Sequence, residues 1–204
     1  MLFRSACNVM TPLDQIGPQV SQGEYPFRGM SAGMAPGVEA RVHVLNFNDL
    51  EAIEWAFQTY PVACLISEPI LQNIGIVKPK PGYLEGIRAL CDRYSVVFVM
   101  DEVKTGFRHA LGGYQSLCGV TPDLSVFGKA IANGYPLGAI GGKAEIMNLF
   151  YHPDPKQRVM IAGTYNGHPL IMAAAISTMQ KLRLHEREDR KSTRLNSSHQ
   201  IISY

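Results

Sequence analysis

Apolar positions in this chain follow two rhythms that alternate along its central part. Leu50, Ile53, Ala56 and Phe57 recur at the spacing of one helix face. Asn48 precedes them and Glu51 stands three residues on, which predicts a capping box with Asn48 as the cap. Val62 to Ile66 then forms a short apolar run that stops at Glu68-Pro69. A second helix is predicted from Pro81, with Leu84, Ile87, Leu90, Cys91 and Tyr94 on one side. Val96 to Met100 is continuously apolar and stops at Asp101-Glu102, the pattern of a strand buried on both faces. Leu124 to Phe127 predicts a third strand, ending at Gly128-Lys129. A glycine-rich turn and short strand follow over Gly134 to Gly142, and Val159 to Ala162 is a further strand candidate. Pro169 suits a first helical turn and opens a helix to about Leu184. Residues 1–38, rich in Gly, Pro and Met, show no sustained period. This alternation predicts an α/β fold: over residues 40–184, part of a three-layer α/β/α domain with a mostly parallel sheet.

Three predicted strands end on ionisable residues: Glu68, Asp101 and Lys129. Ligands of open α/β sheets gather at the carboxyl ends of strands. A carboxylate and an amine so placed can hold opposite ends of a flat cofactor. Pyridoxal phosphate needs this pair, because an amine takes up its aldehyde and a carboxylate keeps its ring nitrogen protonated. By spacing alone an ordinary ion pair, or two solvated strand ends, is the commoner meaning of such a pair.

Other motifs carry less. Gly29-Met30-Ser31-Ala32-Gly33 matches the GxSxG nucleophile string, but Glu24 to Arg28 is no buried strand and Met34-Ala35-Pro36-Gly37 opens no helix. Ser31 therefore supports only a remote serine-hydrolase alternative. Leu137 stands where a phosphate loop needs its first glycine, and Ala144 replaces its Ser/Thr. The six histidines are scattered and no HExxH occurs, so no metal site is expected.

Composition excludes some classes. The chain has 204 residues, 46% hydrophobic and 18% charged, as in an ordinary globular protein. A net charge of +2 is too small to point to nucleic acid or a membrane surface. No apolar run is long enough to span a bilayer. None of Cys7, Cys64, Cys91 and Cys118 forms a CxxC pair, and Cys64 and Cys91 read as buried free thiols. A reducing, cytoplasmic location is expected.

Several segments together carry a resemblance. Asp101-Glu102-Val103-Lys104-Thr105-Gly106-Phe107-Arg108 resembles the signature of class III aminotransferases. Phe127-Gly128-Lys129-Ala130-Ile131-Ala132-Asn133-Gly134-Tyr135-Pro136-Leu137-Gly138 resembles their Schiff-base lysine segment. Phe47 to Ala52, and Glu68-Pro69 followed by Asn73 and Gly75, are similar to the glutamate-1-semialdehyde aminomutase branch. Gly163-Thr164-Tyr165-Asn166-Gly167-His168-Pro169 is similar to the family's phosphate-contacting loop.

The resemblance implies the large domain of a fold-type I transferase dependent on pyridoxal 5'-phosphate. It implies amino-group transfer between a small-molecule amino donor and an oxo-acid or aldehyde acceptor. Lys129 would be the Schiff-base lysine and proton shuttle. Asp101 would pair with the pyridinium nitrogen, and Val103 would pack on one ring face. Asn73 would reach the phenolic oxygen, supported by Glu68. Thr164 would bind the phosphate of the neighbouring subunit's cofactor, which implies a homodimer. The alternatives are the aminomutase proper and a fragment that is catalytically incompetent. Lys104 departs from the Gln or Met common in relatives, and His168 from the commoner Asn. Chains of the family are longer: a preceding segment supplies the cofactor's own phosphate loop, and a following one supplies the small domain. On this reading residues 1–30 are an irregular segment, 31–188 a partial large domain, and 189–204 a non-native tail. That tail holds Arg190, Lys191 and Arg194 against Asp189, which accounts for the whole net charge, and it resembles a translated adapter. Met1 to Ser5 is read in the same way.

Overall fold

An aspartate, not the asparagine before it, starts the first helix. The computed structural model describes residues 36–37 and 39–192. The expectations for residues 1–30, for Ser31 and for residues 193–204 of the tail lie outside the described residues. Helix α1 spans Leu50–Thr59, and the Asp49 carboxylate accepts the Ala52 N–H at 3.0 Å. Asn48 takes a left-handed backbone instead, with φ 68°. Its side chain donates to the Lys78 carbonyl and accepts the Lys80 N–H. Asn48 therefore pins a distant loop, and the cap passes to the next residue able to supply an oxygen.

The chain divides into two compact units, residues 1–99 and 100–204. In the first unit α1 buries Ala52, Ile53, Ala56 and Phe57. Strand β1 spans Cys64–Ser67. Cys64 is exposed, not buried as its apolar neighbours suggested, because this short strand buries neither of its faces fully; Cys91 is buried as expected. Helix α2, Tyr83–Tyr94, starts after Gly82 rather than at Pro81 and buries Leu84, Ile87, Leu90 and Cys91. Helices α1 and α2 pack together. Each large apolar side chain buried there contributes roughly 1.5–3 kcal/mol. Ser95 closes α2 in the left-handed region, and the chain enters strand β2, Val97–Asp101. The Val97 N–H donates to the Ala63 carbonyl, joining the starts of β1 and β2.

The boundary between the units falls inside β2. In the second unit, helix α3 is the short segment Gln115–Cys118 and strand β3 is Leu124–Phe127. The Glu102 N–H donates to the Val126 carbonyl, joining the ends of β2 and β3. Start meets start and end meets end, so these neighbours run parallel. Strand β4, Ala139–Gly142, pairs antiparallel with β3, Phe127 opposite Ala139 and Leu124 opposite Gly142. The strand order β1-β2-β3-β4 makes a mixed, mostly parallel sheet flanked by helices, the expected α/β class. Helix α4 is Ala144–Met147, and helix α5 is Pro169–Ser192, eight residues longer than its apolar pattern predicts. Val159 to Ala162 is not a strand: its residues are exposed and pair with no ladder. An apolar run makes a strand only where another strand meets its backbone.

Tyr83 gives this fold a pH dependence. Its ring lies edge-on to Phe47 at 4.8 Å. Burial, opposed in part by a hydrogen bond with the Asn48 backbone, pushes its phenol up to about 12. A phenol in an unfolded chain ionises near pH ~10. Below that value Tyr83 is neutral in both states and costs nothing. Between about pH 10 and 12 only the unfolded chain ionises there, so stability falls by roughly 1.4 kcal/mol per pH unit. Urea unfolding of wild type and Tyr83→Phe from pH 9 to 12 should show the wild type losing stability relative to the variant across that window. Parallel curves would contradict the burial of the phenol.

Candidate active site

Two neighbouring parallel strands bring the central candidates to one edge of the second unit. Asp101 is the last residue of β2, and Lys129 stands two residues past the end of β3. Parallel neighbours lie about 4.8 Å apart, so the backbone ends of these two strands lie side by side. Asp101 is buried, and its Oδ1 accepts the Val103 N–H at 3.0 Å. That bond curls the chain directly after the strand. The Val103 side chain then faces Gly128, where a Cβ would stand only 3.3 Å from Val103 Cγ1.

Lys129 opens a 3-10 turn, Lys129–Ala132, and is exposed. Its φ is 48°, in the left-handed region that a β-carbon disfavours. Such a conformation costs roughly 1–2 kcal/mol and survives only where neighbours enforce it. Ala132 at the end of the turn is buried, and α5 packs against the turn. An exposed lysine therefore stands on a strained but anchored backbone.

Thr164 lies in an exposed turn ahead of α5. The Asn166 N–H donates to the Gly163 carbonyl at 3.0 Å, and the His168 N–H to the Tyr165 carbonyl at 3.2 Å. Glu68 and Asn73 belong to the first unit. Glu68 is buried just beyond β1, whereas Asn73 is exposed in a turn closed by a pair of hydrogen bonds between Leu71 and Val77. The structure thus groups Asp101, Val103 and Lys129 within one unit. A shallow apolar hollow of about 310 Å³, lined by Phe107, Leu111, Met179, Gln180 and Arg183, includes none of them.

Sequence reasoning missed the residue that shapes this edge. Glu102 is fully buried, at 0% exposure. Its Oε2 accepts the Thr105 hydroxyl at 2.6 Å and the Tyr114 N–H at 3.0 Å; its Oε1 accepts the Gln115 N–H at 2.9 Å. A glutamate beside a strand-ending aspartate reads as one more solvated charge. The signal that could have found it is the pair of small residues at fixed distance, Gly106 and Gly113, where side chains would obstruct a folded-back loop. A Cβ at Gly106 would lie 2.7 Å from the Glu102 carbonyl oxygen and 2.8 Å from Phe127 Cδ1. The same glycine donates its N–H to that carbonyl at 2.8 Å. Phe107 follows with φ 64° and sets its ring against Phe127, 5.3 Å between centroids.

Comparison with known proteins places the chain as a whole among relatives. A family model described as "Aminotransferase class-III" matches residues 14–200. The glutamate-1-semialdehyde 2,1-aminomutase 2 of Brevibacillus brevis is 43% identical over 170 residues, covering 81% of this chain and 39% of that protein. An omega-transaminase structure from Sphaerobacter thermophilus is 34% identical with a TM-score of 0.71, covering 78% of this chain and 37% of the other. A glutamate-1-semialdehyde aminomutase from Pseudomonas aeruginosa, solved in complex with PMP, is 32% identical with a TM-score of 0.63, covering 75% and 36%. The chain spans about two fifths of the length of these relatives.

The close approach at Gly106 can be tested without any ligand. Gly106→Ala should lower the thermal midpoint, with a loss of roughly 1–3 kcal/mol from overpacking. Adding Phe127→Leu should recover part of that loss, because it removes the ring atom that the new methyl meets while leaving the Glu102 carbonyl in place. Unchanged melting of Gly106→Ala would mean the loop is looser than the geometry requires.

Proposed function

The chain belongs to the class-III aminotransferases, and from that footing we propose that it carries the catalytic edge of an enzyme dependent on pyridoxal 5'-phosphate. The proposed reaction transfers an amino group between an amino donor and an oxo-acid or aldehyde acceptor. One observation carries the reading: a buried carboxylate and an exposed, strained lysine end adjacent parallel strands, with Val103 beside them. This donor set suits the cofactor. When bound, it supplies an aldehyde for an amine and a protonated ring that withdraws electrons from the substrate carbon.

The chain's own residues then take distinct tasks. The Lys129 amine offers a nucleophile and a site from which a proton is given and taken back. Its backbone is left-handed and is held by a turn whose far end, Ala132, is buried. The Asp101 carboxylate accepts a hydrogen bond from a ring N–H and opposes its charge. The Val103 N–H, already bonded to Asp101 Oδ1, orients that carboxylate before anything binds. The Val103 methyl groups supply an apolar surface for one ring face. Family resemblance further assigns Asn73 to the phenolic oxygen, Glu68 to its support, and Thr164 to the phosphate of a second subunit's cofactor. A homodimer follows from that last assignment. The exposure of Ile161, Tyr165 and Leu170 around Thr164 supports it, since apolar side chains in water favour a cover. The substrates are small molecules, and the proposed location is cytoplasmic; among the described residues no helix is long and apolar enough to cross a membrane.

A second reading, the aminomutase proper, draws on the 43% identity to a protein of that name. Turnover of glutamate-1-semialdehyde against a panel of amino donors separates the two in a protein of full family length. Exclusive turnover of the semialdehyde would establish the second reading. In the same protein Lys129→Ala should abolish the visible absorbance of bound cofactor. Asp101→Asn should keep binding but slow turnover by on the order of 100-fold or more, the scale of a lost charge-stabilising contact. The 204-residue chain alone is expected to bind cofactor weakly and to show no turnover, because charge-assisted phosphate contacts of roughly 1.5–3 kcal/mol each are supplied elsewhere in longer relatives. Steady amino transfer by the purified 204-residue chain would overturn that expectation.

A further inference from the structure

We infer that Glu102 is a positioning residue for Asp101 and Lys129, an inference that rests on the site reading above. Five hydrogen bonds meet at this one residue. Three reach the carboxylate, from Thr105 Oγ1, Tyr114 N and Gln115 N. The backbone makes the other two: its N–H donates to Val126 of β3, and its carbonyl accepts the Gly106 N–H. Glu102 thus joins three things at once: the end of β2, the end of β3, and the loop that runs from Val103 to Gln115. A further link returns the loop to β3, since Ser125 Oγ donates to the Gln115 side-chain oxygen at 3.3 Å.

All three groups facing the carboxylate are donors, and it is wholly out of water. An uncharged amide in its place could accept from one side only. It would turn its own N–H toward the Tyr114 or Gln115 N–H, leaving a buried donor facing a donor. The space is shaped for the acid as well. A Cβ at Gly113, whose φ is 78°, would lie 2.6 Å from Glu102 Oε1. Gly113 therefore supplies both the backbone turn and the room that the carboxylate fills.

The consequence reaches the reacting groups through two short connections. Asp101 precedes Glu102 directly, and the Asp101 carboxylate is bonded to Val103 N on its other side. Val103 presses on Gly128, the residue before Lys129. Freeing the Glu102 carboxylate lets the Val103–Gln115 loop lift. Val103 then loses its seat, and the strained lysine turn loses the neighbour that braces its first residue. The reacting groups would keep their identities and lose their mutual geometry, and tenfold effects follow from displacements of this kind.

The test uses a protein of full family length that carries these residues, with pyridoxal phosphate as the probe. Borohydride reduction fixes the aldehyde carbon to a lysine amine as a secondary amine, and peptide mass mapping gives the share on Lys129 against Lys156 and Lys181. All variants are measured well below their thermal midpoints and across pH 6 to 10. Wild type should favour Lys129, with one pH midpoint for its capture. Glu102→Gln and Gly113→Ala should cut the Lys129 preference at least tenfold and move that midpoint. Thr105→Val should cut it several-fold, whereas Thr105→Ser, which keeps the hydroxyl, should match wild type. The threonine pair keeps the test decisive where a glutamate variant fails to fold. Asp123→Asn, which weakens the ion pair with Lys143 in the same unit, gives the comparison for plain destabilisation: a lower melting point with unchanged preference. Folded Thr105→Val or Glu102→Gln with wild-type preference and midpoint would overturn the inference and leave a merely structural staple. A wild type that does not favour Lys129 at all would instead sink the site reading, and the inference with it.

Discussion

A carboxylate taken wholly out of water has to find donors, and the local chain must bend to bring them. Glu102 finds a hydroxyl and two backbone N–H groups, and these come from residues 3, 12 and 13 positions further along. A strand that simply ended would need none of this. Because β2 ends on an acid that folds inward, the following loop closes over it and returns to β3 through Gln115 and Ser125. The pairing of β2 with β3, the seat of Val103 and the direction of Asp101 are all stated relative to that closure. Removing only one side of such an arrangement leaves orphaned groups in a dry interior, which is why buried polar clusters tend to be intact or absent.

How legible this was in the sequence depended on whether a segment's structure was decided by its own residues. Strand β3 coincides with the apolar run Leu124–Phe127, and β2, buried along most of its length, lies within one residue of its own run because such a strand has little choice. Cap assignment failed at Asn48, where two candidates stand side by side and a loop 30 residues away decides which is free to cap. Val159 to Ala162 failed for the opposite reason: its residues favour a strand, but no described strand meets it. Asp101 and Lys129 stand out in the sequence as ionisable residues at strand ends, whereas Val103 is singled out only by resemblance; the structure holds all three within one unit. Glu102 was not legible, because its partners are mostly backbone N–H groups, which any residue supplies and no motif records.

Two further features of the second unit follow from the same economy of space. The Thr105-Gly106-Phe107 turn passes so near β3 that a single methyl group would collide with both a carbonyl and a ring. Phe107 then accepts an unfavourable φ in order to lay its ring on Phe127. Strain at a non-glycine residue is a cost that packing must offset, and here an aromatic contact lies directly at the strained position. At the far side of β3, the short antiparallel β4 supplies the strand with its second neighbour. Lys129 therefore stands two residues past a strand that is paired on both sides, and is itself exposed.

The left-handed backbone of Lys129 sets local stability against residue identity at that position. Glycine or asparagine would occupy that position more comfortably than lysine does. Exchanging Lys129 for glycine would relax the backbone and remove the amine in the same step, so at this one position local stability and the presence of a lysine pull in opposite directions.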